Sequence, residues 1–313
     1  MRYVVTGSAG FVGCHVCEAL LERGHEVDGV DAFTDYYDPS IKRANAARLA
    51  RHDGFRGLEL DLVRADLDDV LTGVDAVIHL AAQPGVRLSW ADGFAVYVER
   101  NISASQRLLE AARRTRVPRL VLASSSSVYG NATEQPIGED AATRPFSPYG
   151  VTKLAMEHLA SAYGANWGLS TVVLRYFTLY GPGQRPDMAL HRFIAAVAAG
   201  RPVTVYGDGE QVRDFTYVSD AAAATLAAVD ADVAPASVFN VAGGSPATVT
   251  DLLRLVSEHV GHPAIPRRLP AQAGDVQVTH GATGRARRWL GWQPEVSLDD
   301  GVKLQVVHQL GGR

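Results

Sequence analysis

Short apolar runs alternate with stretches of helical periodicity through the first 180 residues. The runs at 3–6, 26–31, 57–60, 76–81, 119–123 and 171–176 are four to six residues long and predict strands. Between them, residues 94–115 and 148–167 carry the 3.6-residue period of helices that bury one face. Strands alternating with helices in this way predict an α/β protein, a doubly wound parallel sheet with helices on both faces. After Gly181-Pro182-Gly183 the regularity fades. A helix over 189–199, a strand over 203–205, the turn Gly207-Asp208-Gly209 and a helix over 250–260 follow, and the proline-containing stretch 262–270 reads as a loop. Residues 238–241 are apolar enough to rejoin the main sheet. The expected division is therefore 1–180, with a returning segment near 215–242, and 181–313, mainly a smaller lobe against the strand ends, where open α/β sheets bind ligands.

Composition narrows the partners. The hydrophobic share of 47% and charged share of 20% are ordinary for a soluble globular chain. A net charge of −4 disfavours a nucleic-acid surface. The run Arg285-Ala286-Arg287-Arg288 reads as a solvated helix face. Apolar stretches are strand-sized, so a membrane span is not expected. The first residues read as a strand rather than a signal peptide, which predicts a cytoplasmic protein. Cys14 and Cys17 stand three apart without a second pair to complete a zinc site, so packing thiols and no metal are expected.

The chemistry starts at Thr6-Gly7-Ser8-Ala9-Gly10-Phe11-Val12-Gly13, which follows a strand and opens a helix. Glycines in this context allow a tight turn, a close backbone approach to a pyrophosphate and close helix–strand packing, the Rossmann dinucleotide pattern. The helix N-terminus then offers unpaired N–H groups and a favourable dipole to the phosphates. Asp31 closes the second strand, where a carboxylate accepts both adenosine ribose hydroxyls and repels a 2′-phosphate. NAD is therefore expected rather than NADP.

Tyr149 and Lys153 are spaced i, i+4 within a helical pattern, which puts both on one face. A phenol titrates near 10 in water, so a nearby ammonium and a positive nicotinamide ring are needed to favour phenolate. The hydroxyl run Ser124-Ser125-Ser126-Ser127 follows the strand at 119–123 and so sits at the carboxyl end of the sheet. One of these hydroxyls can hydrogen-bond a reacting substrate oxygen, and the residues alone do not say which.

With these features the chain resembles the extended short-chain dehydrogenase/reductase family. The resemblance includes His79-Leu80-Ala81-Ala82-Gln83, Asp61-Leu62, Asn101, the segment from Arg213 to Val218, Gly274-Asp275-Val276 and Leu290-Gly291-Trp292-Gln293-Pro294. Within its nucleotide-sugar branch it is most similar to the UDP-glucuronate 4-epimerases, through Asp35-Tyr36-Tyr37-Asp38, Ile41-Lys42, the segments 82–87 and 124–130, Arg175 to Pro182, and Arg185 to Ala189. The resemblance implies NAD against Gly7, Gly10, Phe11, Val12, Gly13, Asp31, Asp61, Leu62, Leu80, Ala81, Ala82, Gln83, Asn101, Tyr149, Lys153 and Tyr176. It implies catalytic Ser125, Tyr149 and Lys153. It also implies a UDP-sugar held by Arg87, Ser126, Ser127, Thr178, Arg185, Val203, Tyr206, Arg213 and Asp275. A homodimer through a four-helix interface, built from the helices at 94–115 and 148–167, is implied as well. The chain departs from the family pattern at Ala32, where Asn is usual, at Gln184, and at Gln272-Ala273, where many relatives carry Arg.

The neighbours of the Tyr/Lys pair separate the possible reactions. Dehydratases of this family place Asp-Glu before the Val-Tyr-Gly, and decarboxylases resemble them with Glu in the second place. Here those positions are Ser126 and Ser127, which do not titrate near neutral pH. The expected outcome is return of hydride to the opposite face of a 4-keto sugar. Thr178 stands where UDP-glucose 4-epimerases carry Asn, which points toward UDP-glucuronate and UDP-galacturonate. UDP-glucose epimerisation and decarboxylation are the alternatives; a non-catalytic NAD-sensing module and a structural oligomer are readings from other classes.

Overall fold

The computed structural model describes residues 1–311. In chain order its strands are β1 (Arg2–Thr6), β2 (Glu26–Asp31), β3 (Phe55–Glu59), β4 (Ala76–His79), β5 (Leu120–Ser125) and β6 (Thr171–Tyr176). They continue with β7 (Thr178–Tyr180), β8 (Val203–Tyr206), β9 (Val212–Tyr217), β10 (Ser237–Val241), β11 (Pro246–Thr248), β12 (Pro266–Leu269) and β13 (Val278–Thr279). Seven of them form one parallel sheet in the order β10-β6-β5-β4-β1-β2-β3.

Side-chain alternation explains why these strands read as continuous apolar runs. Tyr3 and Val5 of β1 point into one core with Ile78, Val121, Val172 and Leu174, under the helices Phe11–Glu22 and Val218–Asp230. Val4 points into the other with Val77, Leu120, Leu122 and Val173, under the helices Ala104–Thr115 and Pro148–Trp167. A strand covered on both faces has no polar side to show. The order reverses between β1 and β4, so the loops after these strands diverge and leave a crevice at their carboxyl ends.

The later chain builds a third apolar core from Leu190, Phe193, Ile194, Val203, Val205, Leu252 and Val256. There β9 pairs in parallel with β7 and β13 and antiparallel with β11, while β8 pairs with β12. The 262–270 stretch is not all loop, because Pro266–Leu269 lies along Val203–Tyr206. Pro266 lacks an N–H and Arg267 and Arg268 are exposed, so this edge strand carries no apolar alternation to announce it. The 94–115 helix is also interrupted: Val98–Ser103 is π-helical between Phe94–Tyr97 and Ala104–Thr115. Helix Gly284–Leu290 carries the arginine run, with Arg287 and Arg288 exposed and Arg285 paired to Asp140. Both cysteines are free and buried.

Candidate active site

A cleft of about 470 Å³ opens at the carboxyl ends of β1, β2, β4, β5 and β6. Its floor is the glycine loop. Gly7 has φ +72°, and a Cβ there would stand 2.8 Å from the Ala81 nitrogen. A Cβ on Gly13 would stand 2.0 Å from the Gly7 carbonyl oxygen, so helix Phe11–Glu22 seats directly on the loop only because both residues lack one. No side chain caps that helix, which leaves its first N–H groups facing the cleft for an anion.

Asp31 ends β2 at the cleft wall, its Oδ1 accepting the Phe33 N–H at 2.8 Å. It is not alone: Lys42 Nζ lies 3.7 Å from it and donates to the Thr34 carbonyl at 3.3 Å. Asp61, Leu62, Leu80, Ala81, Ala82 and Gln83 line the opposite side. The loop after β4 is tied to the end of β1, since Ala81 N–H donates to Thr6 Oγ1 at 3.2 Å. Asn101 does not line the cleft. It is buried behind the loop, accepting Gln83 N–H at 2.7 Å and donating to the Gln83 carbonyl at 3.1 Å, and it comes from the π-helical segment.

Beneath this loop His79 is sealed between Thr6 Oγ1 at 2.8 Å and Ser105 Oγ at 3.1 Å. Burial holds its pKa down at about 3, and the Lys153 charge adds to the effect. The unfolded chain takes up this proton near 6.5 and the folded protein only near 3. Stability should therefore be full above the upper value and fall as pH drops, by up to about 1.4 kcal/mol per pH unit. Urea unfolding at pH 7 and pH 5 measures this; His79→Gln should flatten the slope, and an equally steep variant would assign the dependence elsewhere.

Tyr149 and Lys153 project into the cleft from helix Pro148–Trp167, which begins at a Ser147 N-cap whose Oγ accepts Gly150 N–H at 3.1 Å. Burial pushes the Tyr149 phenol up, while hydrogen bonding to Ser125 and the charge of Arg185 pull it down. Lys153 donates to the Ala123 carbonyl at 2.8 Å, and burial lowers its pKa to about 8 against the attraction of Glu157. The four serines divide. Ser124 turns inward to Glu157, whereas Ser125 Oγ accepts Ser127 N–H at 3.1 Å. Ser125, Ser126, Ser127, Tyr176, Thr178 and Arg185 all line the cleft.

At the outer end Arg213 and Asp275 line the cleft, and Arg87 bridges toward them, 3.1 Å from Asp275 and stacked 4.0 Å over the Tyr206 ring. Val203 is not brought to the cleft; its side chain fills the third core and its N–H donates to the Ile265 carbonyl at 2.8 Å. Sequence reasoning did not single out Glu157, Tyr129 or Asn240, which form a buried polar chain behind the serines. Glu157 alone carried a local signal, one further turn along the Tyr149/Lys153 face. Among the described residues no group of His, Cys, Asp and Glu is arranged to hold a metal, and no helix is long and apolar enough to cross a membrane.

A dinucleotide cradle joined to a Ser-Tyr-Lys site defines a class, and the chain belongs to the NAD dependent epimerase/dehydratase family, whose model matches residues 3–242. It is 40% identical to an uncharacterized UDP-glucose epimerase of Bacillus subtilis, over 98% of each chain. It is 39% identical to a probable UDP-glucuronate 4-epimerase of Rhizobium meliloti, over 96% of this chain and 95% of the relative. The crystal structure of UDP-glucuronic acid 4-epimerase from Bacillus cereus, in complex with UDP-glucuronic acid and NAD, superposes with a TM-score of 0.97 at 38% identity and covers both chains fully.

Proposed function

We propose that the protein interconverts UDP-glucuronate and UDP-galacturonate by NAD-dependent epimerisation at C4′. The observation that carries this is the surroundings of Tyr149. The acids lining the cleft are Asp31, Asp61 and Asp275, and none stands in the serine loop or beside Thr178. Elimination needs an additional acid and base at the sugar, and the aliphatic hydroxyls of Ser126, Ser127 and Thr178 do not titrate near neutral pH.

The cradle fits NAD because Gly7 and Gly13, lacking a Cβ, let the loop pack directly on Ala81 and on the helix, and the uncapped helix N-terminus is left to a pyrophosphate. Gly7, Gly10, Phe11, Val12 and Gly13 would hold the pyrophosphate, Asp31 the adenosine ribose, and Asp61, Leu62, Leu80, Ala81, Ala82, Gln83 and Tyr176 the rest, with Asn101 supporting their loop. When bound, NAD supplies a reversible hydride acceptor. Tyr149, in its phenolate form, would take the 4′-hydroxyl proton, Ser125 would hold that oxygen, and Lys153 would supply the positive charge that favours this phenolate. Ser126, Ser127 and Thr178 donate to the uronate carboxylate and hold it where loss of CO₂ is disfavoured. Arg87, Arg185, Arg213 and Asp275 would hold the nucleotide end, with Tyr206 packing under Arg87.

In this reading residues 1–180, with the returning segment near 215–242, bind NAD and residues 181–313 mainly bind the UDP-sugar. The exposed Phe94, Val96, Val151 and Trp167 on two neighbouring helices support a homodimer through four helices. The reduced Cys14 and Cys17 suit the cytoplasm.

Purified protein incubated with UDP-glucuronate should form UDP-galacturonate without stoichiometric NADH. Release of UDP-xylose, or no turnover, would sink the reading. The name of the B. subtilis relative favours a neutral sugar instead, and kcat/KM for UDP-glucose against UDP-glucuronate decides between them.

A further inference from the structure

Tyr149, Lys153 and Glu157 recur every fourth residue on helix Pro148–Trp167, so the three share a face. The proposed reaction uses the first two. Glu157 is buried and held on two sides. Ser124 Oγ donates to Oε1, while Arg175 donates through Nε to Oε1 at 3.0 Å and through Nη2 to Oε2 at 2.6 Å. Arg175 also donates to the Tyr129 hydroxyl at 2.8 Å, and that hydroxyl donates to Asn240 Oδ1 at 2.7 Å. One carboxylate thus joins the end of β5 to β6 and, through Asn240, to β10.

We propose that Glu157 is a positioning residue for the reaction, locking the serine loop through Ser124 and serving as the counter-charge of Lys153. This rests on the reading of Ser125, Tyr149 and Lys153 as the reacting group. Ser124 adjoins Ser125, so fixing the Ser124 side chain inward leaves Ser125 aimed at the cleft. Lys153 needs the second service. Its Nζ is buried against the Ala123 carbonyl, with His79 on β4 within reach of its charge and Glu157 one turn further along the same helix face. His79 is neutral, so Glu157 is the anion that opposes the loss of the Lys153 proton. No comparable partner would remain once its charge was removed.

The test separates charge from reach. Glu157→Gln keeps the reach, Glu157→Asp keeps the charge, and Ser124→Ala removes only the tether. Competitive acetylation of the full-length protein with acetic anhydride across pH, read on the Lys153 peptide by mass spectrometry, reports the Lys153 titration without any sugar nucleotide. Glu157→Gln should lower that titration by about one pH unit, and the alkaline limb of kcat should move down with it. Glu157→Asp should keep the wild-type titration. Ser124→Ala should leave the titration in place and cut kcat about tenfold. If Glu157→Gln leaves Arg175 too strained to fold, Glu157→Gln with Arg175→Met, read against Arg175→Met alone, isolates the Glu157 charge. An unmoved Lys153 titration, or a wild-type kcat in Ser124→Ala, would overturn the proposal. Absence of turnover on UDP-glucuronate in the wild type would overturn the substrate reading alone, because labelling still judges Glu157.

Discussion

Tyr149→Phe should lower kcat by about 10³-fold, the scale of losing a general base, while the protein stays folded and keeps its dinucleotide. The ring itself is held independently of the hydroxyl. It packs edge-on against Tyr97 with ring centroids 6.2 Å apart, and Tyr97 is fixed by donating to the Gly85 carbonyl at 2.7 Å. Phenylalanine keeps that packing and removes only the hydroxyl proposed as the base. The free protein holds this phenol in its neutral form, since burial outweighs the help of Ser125 and Arg185. Turnover of UDP-glucuronate and the absorbance of retained NAD are the two measurements. Substantial activity in the variant would refute Tyr149 as the base, and loss of NAD together with activity would point to a structural role instead.

The second large effect is expected at Gly13. Its missing Cβ would lie 2.0 Å from the Gly7 oxygen and 2.7 Å from the Gly7 carbonyl carbon, contacts with backbone that no rotamer change relieves. Gly13→Ala must push the first helix off the loop, which removes the close fit around the pyrophosphate. Dinucleotide binding should be lost, and stability should fall by about 1–3 kcal/mol, as overpacked cores do. Gly138→Ala is the matched control, because a Cβ there meets nothing within 4 Å. Calorimetric titration with NAD and thermal melting read both effects; a Gly13→Ala protein that binds NAD normally would show that the cradle is assigned to the wrong loop.

Much of this arrangement was legible because the main sheet is buried on both faces. Strands β2 and β6 and the Tyr149/Lys153 helix fall at their expected residues; burial on both sides makes β6 mostly apolar, whereas β2 keeps Glu26, Asp28 and Asp31, Asp28 being paired with Arg2 and Arg56. β3 sits two residues earlier than its apolar content suggests, as an edge strand with one neighbour and exposed positions tolerates polar residues. The strand at Pro266–Leu269 and the π-helical turn around Asn101 left no pattern, because pairing at an edge and a one-residue change of helical pitch are fixed by tertiary contacts. In the site, the glycines, Asp31 and the Tyr/Lys pair carry local spacing. Which serine hydroxyl is engaged elsewhere does not: all four serines line the cleft, and the Ser124 hydroxyl is held by a carboxylate 33 residues further along the chain.

The return of the chain to the main sheet has an evolutionary consequence. β10 pairs with β6 from Val172 to Tyr176 and lies at the sheet edge, yet it is made from residues far beyond Gly181. Residues 181–236 are therefore an insertion within the sheet's own strand sequence, while residues 242–311 follow its last strand, and the two stretches share one apolar core. Cutting the chain at Gly181 would strip β6 of one of its two neighbours and bare a row of unpaired backbone groups. The first of these stretches is therefore not a detachable cassette. The proposed sugar-binding positions 126, 127 and 178 line the same cleft as the glycine loop, so a change of substrate there is made beside the cofactor cradle itself.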